Sequence, residues 1–496
     1  MHQRVFPNKD PLSSLAGWHA PRDPRSYRQE VESHFGQQIH HDHQRFHEGE
    51  IGSIPQEEFH RTPFYHKPLL PLDHKDFIGL FLAIIGLMIA AGGGIGGGGV
   101  LVPLYILVLR FSSKYAIPLS NITIFGGSII NTLLNMGKRH PLADRPMVDW
   151  DLILVMEPLT IGGALLGSFL NKLLPEWLLN VLLVLLLAAT ARRTLLKGKK
   201  LYAKESREME FKLAEQEGQA TKGDYGTAAV APVEGSANAG AAGDPEAPVE
   251  QPVEPVLRSI LEAEKSTDFH KVGKLVVVFA GVLVLEVAKG GGAFPSPLGL
   301  ECGGVGYWAL TLATLPWVLY WMLDVRKGLV AMYHKKQIYN YQYVEGDIMW
   351  DERNTIRFPA MCTVAGIFAG MFGIGGGIVK GPLMLEMGVH PMVASATSAC
   401  MILYTTSTAT VSFMLFGLMQ MDYAIFLFCV GIFSTFVGQK AINRMIKQTG
   451  RASYVIFSIG IIVALSAFFM GIEGIYSVFA RNVRGNHESG VCTVGA

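Results

Sequence analysis

Gly92–Pro103 reads GGGIGGGGVLVP, and Gly370–Pro382 reads GMFGIGGGIVKGP. Aligning Gly94-Ile95-Gly96-Gly97-Gly98 with Gly373-Ile374-Gly375-Gly376-Gly377 brings Pro103 onto Pro382. Each run follows an apolar stretch, Phe77–Ala91 in the first case and Phe358–Ala369 in the second. Seven glycines in the eight positions 92–99 would weaken a soluble helix by roughly 1 kcal/mol per residue. At membrane depth the pattern has a use. A broken helix exposes backbone N–H groups, and the positive end of its dipole can hold an anion.

Composition agrees with a membrane chain. The 496 residues are 50% hydrophobic and 17% charged, with mean hydropathy +0.30. A net charge of +1 argues against nucleic acid as a partner. The five cysteines form no CxxC pair, and three lie in apolar runs, so they read as buried thiols rather than as a metal site or a disulfide framework. The first twenty residues lack the apolar core of a cleaved signal peptide.

Working outward from the glycines, the first half holds a broken element over Phe77–Leu109 and spans near Tyr115–Met136, Trp150–Leu170 and Trp177–Ala191. The second repeats it: a broken element over Phe358–Met387, then spans near Met392–Leu415, Tyr423–Val437 and Tyr454–Phe469. Two further spans, near Val272–Ala288 and Tyr307–Leu323, lie between them. The expected fold class is all-α: a polytopic membrane protein of about 9–11 helices in two inverted repeats, each with a glycine-broken helix. Its expected parts are a polar, disordered arm (1–74), a first repeat (75–200), a cytoplasmic linker (201–270), two inserted helices (271–325), a cytoplasmic loop (326–357), a second repeat (358–475) and a tail (476–496). The arm carries ten of the fifteen histidines, but their spacing fits no defined metal site.

Sidedness follows from basic residues. Arg192-Arg193 to Lys199-Lys200, then Arg326, Lys327, Lys335 and Lys336, then Lys440, Arg444, Lys447 and Arg451 each mark a cytoplasmic end. If both broken elements return to the side they entered, the second starts inside and the first outside, which inverts the halves. The basic residues of the arm pull the other way. Asp149 and Asp422, matched at the start of a span in each half, read as helix caps, with a part in proton coupling as the alternative.

Taken together, the two glycine runs, Asn135–Pro158 (NMGKRHPLADRPMVDWDLILVMEP) and the Ala-Thr-Ser stretch within Gly370–Phe413 resemble the TauE/SafE sulfite exporter family, in its longer plant-like branch. The resemblance runs from about Phe77 to Lys200 and from Val272 to Phe469. It implies a secondary transporter of small sulfur-containing anions such as sulfite and sulfonates, driven by an ion gradient, with protons as the candidate coupling ion. It implies no cofactor and no metal. One departure is Lys380, where relatives often carry an apolar residue.

The candidate anion ligands are the backbone amides of Gly96, Gly97, Gly98 and Gly99 and of Gly375, Gly376 and Gly377. Side chains on the following spans come next: Asn121, Thr123, Ser128 and Asn131, then Ser395, Thr397, Ser398 and Ser407. For each hydroxyl the competing role is a helix–helix hydrogen bond. Lys380 either draws an anion beside the glycine amides or snorkels to the cytoplasmic rim, with Glu386 as a candidate partner. Gly163 with Gly167 and Gly366 with Gly370 have small-xxx-small spacing and read as packing contacts, and the His140-Pro141 turn reads as structural. A membrane enzyme would need metal ligands or a nucleophile–base pair, and the spans hold only isolated acids such as Glu157 and Glu286. A passive anion channel and a non-transporting scaffold or receptor remain the alternatives.

Overall fold

The computed structural model describes residues 69–92, 96–223, 255–449, 451 and 453–481. Most of the expected arm, residues 224–254 of the linker and the end of the tail lie outside them. The described residues form thirteen helices and no strand. In the first half α1 (His74–Gly92) and α2 (Gly98–Leu107) are the pieces of the broken element, followed by α3 (Ser113–Met136), α4 (Trp150–Leu173) and α5 (Glu176–Gly223). Next come α6 (Pro255–Glu264), α7 (Phe269–Lys289) and α8 (Val305–Ile338). The second half has α9 (Asn354–Phe372) and α10 (Gly377–Glu386) as its broken element, then α11 (Pro391–Leu415), α12 (Met421–Thr449) and α13 (Ser453–Arg481). Eight of these are long and apolar enough to cross a membrane. The all-α, multi-pass architecture read from the sequence is therefore the one found.

At their described, matched positions both breaks have the same backbone. Gly96 and Gly97 have φ 83° and 81°, and their counterparts Gly375 and Gly376 have 66° and 73°. Two consecutive left-handed residues turn the chain so sharply that no helix can run through, and only glycine takes that conformation without a Cβ penalty. The second residue of each pair is the N-cap of the next helix.

Several helices outrun the apolar stretches that announced them. The expected linker over 201–270 is helical over 201–223 and 255–264, and α8 extends fifteen residues beyond Leu323 into the expected loop. The basic segment after Val437 is the end of α12. These extensions are rich in good helix formers such as Glu, Lys and Ala, and no proline lies in their interiors. Hydropathy marks how much of a helix sits in lipid, not where the helix stops.

The halves interlock. α1 packs on α12 and α9 on α4; α3 packs on α12 and α11 on α4; α3 also meets α11, and α5 meets α13. Exchanging the halves reproduces the pairings, each broken element resting on the other half. The α4–α9 crossing is tight. A Cβ added to Gly163, Gly167, Gly366 or Gly370 would lie 2.1–2.3 Å from a carbonyl oxygen of the facing helix. These glycines are packing contacts, as their spacing implied. The inserted pair α7 and α8 pack on each other and on α4.

Cys302, in the loop between α7 and α8, is disulfide-bonded. Cys362 and Cys400 are buried free thiols and Cys429 is an exposed one. Reading all five as thiols was wrong for Cys302, which lies in a Gly/Pro-rich loop rather than in an apolar run.

Candidate functional site

The two glycine breaks touch. A Cβ on Gly98 would fall 2.2 Å from the Ile374 Cα and 2.9 Å from the Gly373 carbonyl oxygen. Gly96 and Gly375 both lie against Ile124 of α3 and Ile402 of α11. The Ser120 hydroxyl of α3 donates to the Gly373 carbonyl at 2.9 Å, which ties the second break to the first half. The first helical donors are Val100 and Leu101 onto the Gly97 carbonyl, and Val379 and Lys380 onto the Gly376 carbonyl. The amides of Gly98, Gly99 and Gly377 precede them, at the positive ends of α2 and α10. Two helix N-termini thus converge in the interior on backbones without side chains.

A narrow cavity opens beside Gly96, lined also by Ile124, Ser128, Asn131, Ile402 and Thr435. Its free volume is about 10 Å³, roughly the room one water needs. An oxyanion would have to part the walls to enter.

Among the side chains read as candidates, Ser128 and Asn131 face this cavity. Asn131 accepts at Oδ1 from Gln439 Nε2 at 2.9 Å, and the same nitrogen donates to the Ala91 carbonyl at 2.8 Å. Gln439 and Thr435 come from α12, whose sequence gave no sign of a part in the site. Thr123 is committed elsewhere: its hydroxyl donates to the Leu119 carbonyl at 2.6 Å and lies 2.9 Å from the Tyr105 hydroxyl. Thr397 accepts from the Asp149 amide at 3.1 Å, at the start of α4. Asn121 and Ser398 are buried with amide and hydroxyl atoms that have no hydrogen-bond partner.

Lys380 does not reach the rim, and Glu386 is not its partner. Glu386 is exposed and lies 3.9 Å from Arg193. The Lys380 ammonium, on the first turn of α10, meets Glu157 of α4 at 3.0 and 3.4 Å, with both side chains 0% exposed. It donates to the Thr405 hydroxyl of α11 at 2.6 Å, which lies 2.9 Å from Glu157 Oε1. A charge so far from water persists only when paired in this way. The lysine stem runs along the glycine break, its Cε 3.2 Å from where a Gly376 Cβ would be.

At one end of the bundle the loop before α4 docks on the segments before α9 and α11. Arg145 pairs with Asp347, and the His140 and His390 rings lie 5.9 Å apart. Both histidines accept at Nδ1 from a backbone amide two residues on, which makes the His-Pro turns structural. Burial, then Arg145, lowers the His140 pKa, so the ring stays neutral at neutral pH. Asp149 caps α4 by accepting from the Leu152 amide at 3.0 Å.

The family model for the sulfite exporter TauE/SafE matches residues 78–244 and 272–467. Among relatives, Sulfite exporter TauE/SafE family protein 3 of Arabidopsis thaliana is 30% identical over 416 residues, covering 83% of this chain and 80% of the relative. Family protein 5 of the same plant is 27% identical, covering 82% and 84%. Family protein 2 is also 27% identical, covering 85% and 88%. No solved structure matches the chain.

Proposed function

This chain belongs to the sulfite exporter TauE/SafE family and is an integral, multi-pass membrane transporter; from that premise we propose that it moves small sulfur-containing anions, sulfite and sulfonates among them, driven by an ion gradient. The observation that carries the reading is the meeting of two glycine-capped helix N-termini inside the bundle. Backbone amides there offer partial positive charge without a bulky side chain, enough to hold an oxyanion and weak enough to release it. Gly96–Gly99 and Gly375–Gly377 are the amide ligands, with Ser128, Asn131 and Lys380 beside them. Asn121 and Ser398 supply buried polar groups that open when the walls part. Thr123 and Thr397 stand further back, since their hydroxyls already have partners. A site closed to about 10 Å³ favours a carrier, which alternates between closed and open forms, over an open channel.

We place the halves in inverted orientation. Support comes from the ends of the helices. Glu386 at the end of α10 lies 3.9 Å from Arg193 of α5, in a basic segment that reads as cytoplasmic. Phe111, after α2, packs at 5.0 Å on Tyr423 at the opposite end of the bundle.

The test is flux in reconstituted vesicles supplied with sulfite, sulfate or an organosulfonate. Saturable movement of at least one sulfur oxyanion above protein-free vesicles is expected. Movement of none of the three would end the reading.

A further inference from the structure

We propose that Glu157 and Lys380 are the proton-coupling pair of this transporter, one proton on Glu157 accompanying each singly charged anion that engages Lys380; the inference rests on the anion-transport reading above. The pair joins the halves, since Glu157 sits on α4 of the first while Lys380 and Thr405 sit on α10 and α11 of the second. It also adjoins the glycine cradle. Lys380 leaves the first turn of the helix whose N-terminus forms half of it, and Thr406, next to Thr405, has its methyl 3.2 Å from a Cβ position on Gly375.

Charge bookkeeping supplies the coupling. In the closed, empty form the carboxylate and ammonium cancel. An anion entering the cradle draws the ammonium and leaves Glu157 as a second negative charge out of reach of water. That state is costly at membrane depth. A proton from water, bound at a Glu157 oxygen as a new O–H bond, restores neutrality, and the anion and proton can cross together. A proton without an anion would leave Lys380 as an unbalanced cation, so that half-loaded form is disfavoured as well. On the far side the O–H bond breaks, the proton returns to water, and Glu157 takes Lys380 back. No electron moves.

The other titratable side chains facing Glu157 are Cys362 on α9 and Cys400 and Tyr404 on α11. None of them carries a charge at neutral pH, so Lys380 is the group that decides whether Glu157 is ionised. The sequence placed nothing titratable at the matching positions of the repeat. With Asp149 aligned on Asp422, Glu157 falls on Val430, and with Pro103 aligned on Pro382, Lys380 falls on Leu101. One repeat alone therefore carries each charge, and a single proton per cycle follows.

The experiment uses the full chain in vesicles with a pH-sensitive dye inside, probed with methanesulfonate, whose charge does not titrate near neutral pH, and with sulfite. Wild type should carry protons with the anion, and a one-unit pH gradient should concentrate the anion up to about tenfold. Glu157→Gln should still exchange anion at equal pH but lose accumulation and proton movement, and the double variant Glu157→Gln with Lys380→Met should lose accumulation and proton movement as well, whatever exchange it keeps. The double variant removes both charges, so it guards against misfolding around an unpaired lysine. Wild type that moves anion without protons, or a double variant that accumulates it like wild type, overturns the coupling role and leaves the transport reading standing. Equal loss of exchange and accumulation in Glu157→Gln marks the pair as structural and overturns it too. Wild type that moves neither anion overturns the coupling role, and if sulfate does not move either the transport reading falls with it.

Discussion

At the scale of single residues, Asp149 and Gln439 show what a site borrows from its surroundings. Burial, with the neighbouring Asp151 carboxylate behind it, pushes the Asp149 carboxyl from 3.8 up to about 6, against the Leu152 amide, Arg145 and Lys271. A carboxyl harder to ionise folded than unfolded holds its proton more tightly in the native state. Its contribution is greatest below the unfolded value and is lost as pH rises from about 4 to about 6. Asp149→Asn keeps the cap, because Asn serves that position about as well as Asp. Thermal unfolding should then show a flatter pH dependence across that window and a Tm a few degrees above wild type at neutral pH. A steeper slope in the variant would refute the assignment. Gln439→Leu keeps the bulk but removes the donor shared by Ala91 and Asn131, and should cost about 1–2 kcal/mol of stability. Anion flux should fall with it, since Asn131 loses the partner that fixes it in the cavity wall. Neither Gln439 nor the true partner of Lys380 was legible in the sequence. Glu157 lies 223 positions away inside an apolar run, whereas Glu386 was near at hand along the same helix. Local spacing finds neighbours along an element, and the ion pair is a contact between elements.

At the scale of elements, the glycine breaks were legible because their composition admits no other structure. Four positive φ angles at matched positions are what the run of glycines foretold. The contact between the breaks was not legible, because it depends on how α3 and α11 bring them together. That contact makes an ordered prediction. Gly381→Ala, with nothing within 4 Å of the new methyl, should be neutral or slightly stabilising in helix α10. Gly376→Ala has φ 73° and nearby atoms at 3.2 Å, one of them in the flexible Lys380 side chain, so it should cost about 1–2 kcal/mol. Gly98→Ala would drive a methyl into the Ile374 backbone at 2.2 Å, where nothing yields without separating the halves. Folded yield and flux, measured side by side, should fall in that order. A tolerated Gly98→Ala with normal flux would mean that the breaks need not touch. Gly167→Ala belongs with the severe case, its methyl 2.2 Å from the Ile367 carbonyl oxygen. Here the small-xxx-small spacing had already announced the crossing.

At the scale of the whole molecule, the inverted arrangement turns on which side each break opens to. Segments rich in Lys and Arg meet at one end: Lys336 pairs with Glu264, Arg139 donates to the Lys265 carbonyl, and Ser453 bonds to Glu205 of the α5 extension. By the positive-inside rule we propose that this end is cytosolic. The loop after α7 lies at the other end, where Ala293 donates to the Leu415 carbonyl, and its Cys302 is disulfide-bonded, as suits an oxidising compartment. Arg110 follows the first broken element and Glu386 closes the second, and both are exposed. In an inverted pair these corresponding ends lie on opposite sides of the membrane; in a parallel pair they share a side. Arg110→Cys and Glu386→Cys, each placed in a Cys429→Ser background to remove the exposed free thiol, separate the two. A membrane-impermeant maleimide added to sealed cells should label Arg110→Cys directly and Glu386→Cys only after permeabilisation. Labelling of both from one side would make the repeats parallel, and the two helix N-termini would no longer approach the anion from opposite faces of the bilayer. Alternating access requires that opposition, because a carrier whose halves are inverted has inward-open and outward-open forms that exchange the roles of its two repeats.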